Sequence, residues 1–528
     1  MRRFAGSLVI ILVALVVGAA PAAASQNNAE ASAKVAKSKA KGKKKPKPKK
    51  PKKLKPVIPS TAKIFSYIKD LTSFGYRRTG SKGSLKAATY VRDHFRRYGL
   101  KNVSFQKVGS YDWRVKNSSL SVAGIKRNSF PIAHAFMGGT QTGSFGTGPA
   151  GISAPVVDVG NGTKSAFEGK DVAGKVVMFD LRFTGLPADL FKAVADYFYD
   201  PDNTVAPGEV IPQPYLTNFV DVTQRAMDNG AVGIVGVLAD YFDSKYYFNE
   251  EYRRLQMTIP GLWVTKDEGD AIRAQLSADP GAEAKIVMNG ERKPAPARNV
   301  IGFLPGKSKT TLLISSHHDA VWDGAVEDGS GTAEVLALAR YFGALKKKYR
   351  PMSLMFASMD SHFTGYQGHF AFVDKYVTGV PEARRPRVNF AIEHIARYGK
   401  VVNGKLQMTN LPEVAGVLQN VGPKPLEVIK QVIQKNELDR SIVIPATFFG
   451  SSIPTDASFT YAAGVPVVSL ISGPIYLYDK QDTLDKVYKP HLRPWALAYK
   501  EMIARMSRMA PADLPGATPP ATPAGSAE

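Results

Sequence analysis

Six of the eight histidines fall in the last two-fifths of the chain, and five of them, His317, His318, His362, His369 and His394, share one kind of position. Each follows a short apolar run that reads as a β-strand, or lies shortly downstream of one. Residues 312–314 lead into His317-His318-Asp319, 354–356 into Met359-Asp360-Ser361-His362, and 388–392 into Glu393-His394. A fourth run, 465–470, precedes a loop with Tyr476, Tyr478 and Asp479. Imidazoles and carboxylates together can hold a divalent metal and activate water on it. An imidazole with a pKa of about 6.5 can also move protons near neutral pH. For any single histidine a hydrogen-bonded loop position is the plainer reading; the clustering points to a site. Cysteine is absent, which excludes thiolate ligands, a thiol nucleophile, disulfide staples and a lipidated cysteine.

These groups need elements to position them. Residues 298–510 alternate apolar strands with helical stretches, which predicts an α/β fold with a mixed, mostly parallel sheet flanked by helices. Such sheets bind ligands beyond the carboxyl ends of their strands, where the polar residues fall. A helix is expected over 332–342, opened by Asp328-Gly329-Ser330-Gly331. Another is expected to end near Gly99, with Leu85, Ala88, Val91 and Phe95 on its apolar face. Residues 126–297 are richer in glycine and strand-like runs.

The net charge of +25 is unevenly spread. Arg2 and Arg3, the apolar run 8–17 and Ala22-Ala23-Ala24 form a secretory leader pattern, expected to span 1–24. The run is short for a membrane span of about 20 residues, and no second long apolar run follows, so the expectation is a secreted, extracytoplasmic protein without a transmembrane helix in its mature form. Residues 25–56 form a Lys/Pro-rich segment whose lysines cluster at 34–55; residues 1–56 carry +14 of the total. Such a tract stays extended and either spaces the fold or binds a polyanion. On an exported chain that partner is an anionic cell-envelope polymer rather than a specific nucleic acid. Residues 511–528 read as a disordered tail.

The ordered motifs resemble the M28 zinc peptidases. Leu71-Thr72-Ser73-Phe74-Gly75 with Arg78-Thr79-Gly80-Ser81 is similar to the family's opening segment. Asn299-Val300-Ile301 with Leu304-Pro305-Gly306, His317-His318-Asp319, the run 324–331, Ala462-Ala463-Gly464-Val465-Pro466 and 482–487 follow in family order. The resemblance implies a zinc-peptidase-like phosphorylase/hydrolase fold in two parts, 57–125 and 298–510. Between them, 126–297 resembles a β-rich α+β protease-associated (PA) domain, an insertion that shapes substrate access.

By the same resemblance, His317 binds metal and Asp319 orients it; Glu327, or Asp328 beside it, takes the bridging carboxylate position; and Glu393 takes a further ligand position. His362 falls where the family has its general base, and Phe363, which cannot bind zinc, falls on a ligand position. Tyr478 falls on the last ligand position, as an oxyanion donor or a buried aromatic. This set implies one zinc ion rather than two, or none. Three readings stand: an aminopeptidase-type hydrolase of peptide or amide bonds with a degenerate site; an inactive pseudoenzyme acting as a binding protein at the envelope; and an envelope-binding protein whose basic segment is its working part. A different ligand set drawn from His318, His369 and His394 is also open.

Overall fold

The computed structural model describes residues 54–136, 142–249 and 255–514. The leader, residues 25–53 of the basic segment and residues 515–528 of the tail lie outside the described residues.

Thr311–His317 and Ser353–Met359 are buried at every position after their first. Strands covered on both faces need such continuous apolar runs. They pair in parallel with His317 opposite Met359. Pro386–Ile392 pairs in parallel on the other side of Thr311–His317, and Val467–Ile471 in parallel beyond it. Ala415–Gln419 follows antiparallel, with Ser441–Pro445 parallel to it. Glu283–Leu304 runs antiparallel along Ser353–Met359. The sheet is the mixed, mostly parallel one expected, and the four parallel strands at its centre end on the same side.

Gly329–Ala344 is buried around nearly its whole circumference, between the sheet and the helices Thr61–Thr72, Lys82–Arg97 and Lys489–Met506. It begins three residues before the expected 332, because Asp328 caps it by accepting the Gly331 N–H at 3.0 Å. A Cβ on Gly331 would lie 2.1 Å from the Ile392 carbonyl oxygen. The glycine therefore lets the helix start seat against the end of the Pro386–Ile392 strand. Gly331→Ala is expected to destabilise the fold by about 1–3 kcal/mol, the usual overpacking cost, read as a lower thermal midpoint. In Lys82–Arg97, Ala88, Val91 and Phe95 are fully buried as expected. Leu85 is 42 % exposed, because the buried face of this helix runs through Ser84, Ala87, Ala88, Val91 and Phe95 and Leu85 lies off it.

Two 22-residue strands, Lys101–Val122 and Glu283–Leu304, pair antiparallel from Lys101 opposite Phe303 to Val122 opposite Ala284. They carry the chain out of the main sheet and back. The expected second boundary, 297/298, thus falls inside a continuous strand. Between them Ile152–Asp158, Val176–Asp180, Gly233–Leu238 and Gly261–Thr265 form a parallel set with helices such as Phe219–Asp228 and Lys266–Ala278. One segment of this middle part reaches back. Tyr197–Tyr199 pairs antiparallel with the Ser441–Pro445 edge, and the buried Arg440 guanidinium donates to Glu209 at 2.6 Å and to the Thr204 carbonyl at 2.8 Å. Among the described residues no helix is long and apolar enough to cross a membrane.

Candidate metal centre

His317 ends its strand, and Glu327 stands in the loop just before the Gly329–Ala344 helix. His394 follows the Pro386–Ile392 strand in a left-handed conformation, φ 52°. All three are buried. His317 Nε2 lies 3.1 Å from one Glu327 carboxylate oxygen, and His394 Nε2 lies 2.6 Å from the other. His317 Nδ1 sits 3.1 Å from the Asp319 carbonyl, and His394 Nδ1 sits 2.8 Å from the Ser472 carbonyl. A carbonyl only accepts, so both Nδ1 atoms carry hydrogen. A neutral ring in either place would present an Nε2 lone pair to a carboxylate, acceptor against acceptor, unless a proton or a metal stands between. Neither approach satisfies hydrogen-bond geometry, and both Nε2 atoms and both Glu327 oxygens are otherwise without partners. A cation between them resolves the conflict, and the three donor atoms lie within 4.8 Å of one another.

Burial pulls His317 down, but the carboxylates of Asp456, Asp319 and Glu327 outweigh it and hold the imidazole well above its ordinary value. Glu327 likewise raises His394 against its burial. Burial pushes the Glu327 carboxyl up, yet the two imidazoles keep it well below the carboxylate range. A metal supplies the positive charge these three groups otherwise draw from protons.

A second cluster joins His317, His362 and Asp456, again with donor atoms within 4.8 Å. His362 opens a one-turn helix after the Ser353–Met359 strand. Its Nδ1 is 2.9 Å from Asp456 Oδ1, and its Nε2 is 2.9 Å from the Tyr366 hydroxyl and 3.9 Å from Glu327. His369 Nε2 holds the other Asp456 oxygen at 2.7 Å. Burial opposes ionisation of Asp456, but His369, His362 and His317 keep it well below its usual value. The two clusters share His317, whose Nδ1 is committed to Asp319. One Nε2 lone pair serves one ion, so His317 can belong to only one of the two groups at a time.

Distant segments hold these loops. Arg77, fully buried, donates to the carbonyls of His318, Asp323 and Gly324 at 2.6–2.8 Å. Asp482 accepts the N–H groups of Val326 and Glu327 at 2.8 and 2.9 Å. The loop between His317 and Glu327 is thus clamped by Arg77, which lies between the two pieces of the opening motif, and by Asp482 of the closing one. Tyr478 lines the cleft beside His362, Glu393, His394 and Asp456, a space of about 590 Å³ that Tyr215 and Leu216 of the middle part also wall.

Residues 299–502 match peptidase family M28. The chain aligns with curated proteins at low identity. Human transferrin receptor protein 2 is 24 % identical over 42 % of this chain and 29 % of its own length. Human carboxypeptidase Q is 22 % identical over 76 % of this chain and 75 % of its own. The chain therefore spans less than a third of the first and three quarters of the second. Among solved structures, a Peptidase M28 precursor from Shewanella amazonensis SB2B superposes with a TM-score of 0.61 at 17 % identity, covering 87 % of this chain and 96 % of that one. BSAP, a zinc aminopeptidase from Bacillus subtilis, gives 0.60 at 16 %, covering 88 % and 100 %. These likenesses establish the fold.

The fold brings His317, Glu327 and His362 together, with Asp319 orienting His317 through its carbonyl and, at 3.4 Å, its carboxylate. Two expected ligands are placed elsewhere. Asp328 spends its oxygens on the N–H groups of Gly331 and His317, so it caps a helix instead of facing the cluster. Glu393 accepts the Asp456 N–H at 3.0 Å, and burial together with Asp456 pushes its carboxyl well above the usual range. His394, one residue on, points at Glu327 instead. His318 faces away, its Nδ1 3.0 Å from Ser358 Oγ, and burial pushes it down to about 4. Phe363 packs edge-on against Phe248 and Tyr478. Sequence reasoning missed Asp456: it lies in a loop before the short helix Ser458–Ala462, with no apolar strand run ahead of it. Glu393→Gln keeps a neutral acceptor for Asp456, so metal content is expected to stay within measurement error by atomic absorption.

Proposed function

We propose that the chain is an exported metallopeptidase of aminopeptidase type, hydrolysing peptide or amide bonds at a centre that takes one zinc. The observation that carries this reading is the pair of imidazole Nε2 atoms converging with Glu327 at the strand ends. Two imidazoles and one carboxylate form a recurring catalytic zinc set that leaves a position open. When bound, the metal polarises a carbonyl and lowers the pKa of water. His317, His394 and Glu327 hold it. His362, oriented by Asp456, sits 3.9 Å from Glu327 and moves the proton between nucleophile and leaving amine. Tyr478 is the phenol available to a substrate carbonyl from the same cleft. The names of the similar proteins, a zinc aminopeptidase and carboxypeptidase Q, are in keeping with this activity.

The test is hydrolysis of aminoacyl p-nitroanilides by the purified chain. Activity lost with chelator and restored by zinc is the expected result; a zinc-replete chain without activity would sink the proposal. Phe363 at a family ligand position, with the similarity to a transferrin receptor, favours a second reading as a non-hydrolytic binding protein. That reading requires the zinc-replete chain to cleave none of these substrates.

The Lys-rich segment 34–55 is proposed to hold the exported chain at an anionic envelope polymer, and residues 126–297 to act as a PA-like access domain. Deleting residues 25–56 is expected to shift elution from a heparin column to markedly lower salt. Identical elution of both forms would reject the electrostatic anchor.

A further inference from the structure

Three neighbouring parallel strands start at basic loops and end at the metal centre. Lys307 and Lys309 precede Thr311–His317, Lys346-Lys347-Lys348-Tyr349-Arg350 precedes Ser353–Met359, and Arg384-Arg385 precedes Pro386–Ile392. His317, His362 and His394 lie at or just after the other ends of the same strands. A seven-residue strand spans roughly 20 Å, so the basic loops and the cleft stand at opposite ends of the sheet. The loops join into one face. The N–H groups of Lys307 and Ser308 donate to the carbonyls of Arg350 and Pro351 at 2.8 Å, and Thr311 stands opposite Pro386. Arg96, Arg97 and Lys101 adjoin from the end of the Lys82–Arg97 helix, where a Cβ on Gly343 would lie 2.0 Å from the Tyr98 carbonyl oxygen. Arg340 donates to the Val57 carbonyl at 3.0 Å, so the basic segment joins the fold at this face too.

Segments 96–101, 305–311 and 344–352 hold nine Lys or Arg and no Asp or Glu. Lys307, Lys309 and Lys346-Lys347-Lys348 are exposed, and among the described residues none of them is in an ion pair. Unneutralised charge of one sign raises the local potential and draws in anions. Beside the lysines a groove of about 640 Å³ is lined by Tyr341, Tyr349, Arg350 and Arg508 among others. Arg350 spends its guanidinium on the carbonyls of Pro305, Phe342 and Leu345 and so shapes the loop. Tyr349 is 57 % exposed, with Lys348 Nζ 5.1 Å from its ring. Cations spread over adjoining loops suit a repeating polyanion better than one small anion. A bilayer needs a continuous apolar face, whereas Tyr349 is the one large apolar or aromatic side chain exposed in these segments. We propose that this face binds an anionic glycopolymer, its sugar rings against Tyr349, and that the metal cleft is thereby turned away from the polymer. The inference rests on the anchor reading of segment 34–55 for the kind of polyanion met, and adds a contact made by the folded body.

The experiment measures heparin affinity of the full chain against salt concentration. Each cation engaged on a polyanion adds about one to the slope of log affinity against log salt. The triple variant Lys346→Gln/Lys347→Gln/Lys348→Gln is expected to lower that slope by about 2–3. Lys307→Gln/Lys309→Gln, on the adjoining loop, is expected to lower it by about 1–2 and guards against a folding artefact in the first variant. The control Lys126→Gln/Lys400→Gln/Lys405→Gln removes as many exposed lysines away from this face and is expected to leave the slope nearly unchanged. Equal slopes in the control and both test variants overturn the proposal. Binding to vesicles of 30 % phosphatidylglycerol that these variants lose, with heparin affinity unchanged, overturns it in favour of a membrane. Deletion of residues 25–56 separates the two readings. A shift on deletion without one in the lysine variants leaves the anchor standing and this face rejected; a shift in the lysine variants alone supports the face and rejects the anchor.

Discussion

Replacing Glu327 by Ala is expected to leave the chain without stoichiometric zinc and to lower any hydrolysis about 10³-fold or more. The scale follows from the several kcal/mol of charge stabilisation a catalytic metal contributes. Glu327 is the group both clusters touch: His317 and His394 approach its two oxygens, and His362 stands 3.9 Å from one of them. Without that carboxylate, the two imidazoles alone no longer form a chelating set. Glu327→Gln is a stricter variant, because it keeps the volume and removes only the charge. Protons and metal compete for the same Nε2 atoms. Zinc affinity in the native chain is therefore expected to fall on acidification, the more readily because surrounding carboxylates hold both imidazoles above their ordinary values. Wild-type zinc content in Glu327→Ala would contradict this assignment.

His362→Ala is expected to lower kcat about 10²–10⁴-fold, the range of general acid–base catalysis, while zinc content stays at the native level. The separation of the two readouts is the point. His362 faces Asp456 through Nδ1 at 2.9 Å and is not needed for the His317–Glu327–His394 set. Asp456→Asn removes the orienting carboxylate and is expected to cost about 10–100-fold, as supporting hydrogen-bond partners do. Loss of zinc in His362→Ala would instead make His362 a ligand, through the cluster it shares with His317 and Asp456.

Much of this centre was legible from residue types at strand ends. The burial of the parallel strands forces apolar runs, and the polar residue that follows each run marks where the chain leaves the sheet. That logic finds His317, Asp319 and His362, and narrows the third strand to the pair Glu393-His394; Glu327, which follows no strand run, is reached only through the resemblance to the M28 peptidases. It cannot choose within the pair. Neighbouring residues at a strand end face opposite ways, and the left-handed turn at His394 decides which enters the centre. Asp328 looks like a ligand by type but is spent on backbone N–H groups, a competition sequence spacing does not show. Asp456 has no strand to announce it. Asp482 stands in a motif visible from the start and Arg77 between the two pieces of another, yet their work as clamps on one loop depends on contacts between segments 241 and 155 residues apart. The docking of Tyr197–Tyr199 on a distant edge is similarly unreadable, because a three-residue strand carries too little pattern.

The most direct measurement is zinc stoichiometry in the purified chain beside His394→Ala and Glu393→Ala. One zinc per native chain, lost in His394→Ala and retained in Glu393→Ala, is the predicted result. Retention in His394→Ala with loss in Glu393→Ala would contradict the ligand set, and a metal-free or two-zinc native chain would contradict the single-ion centre.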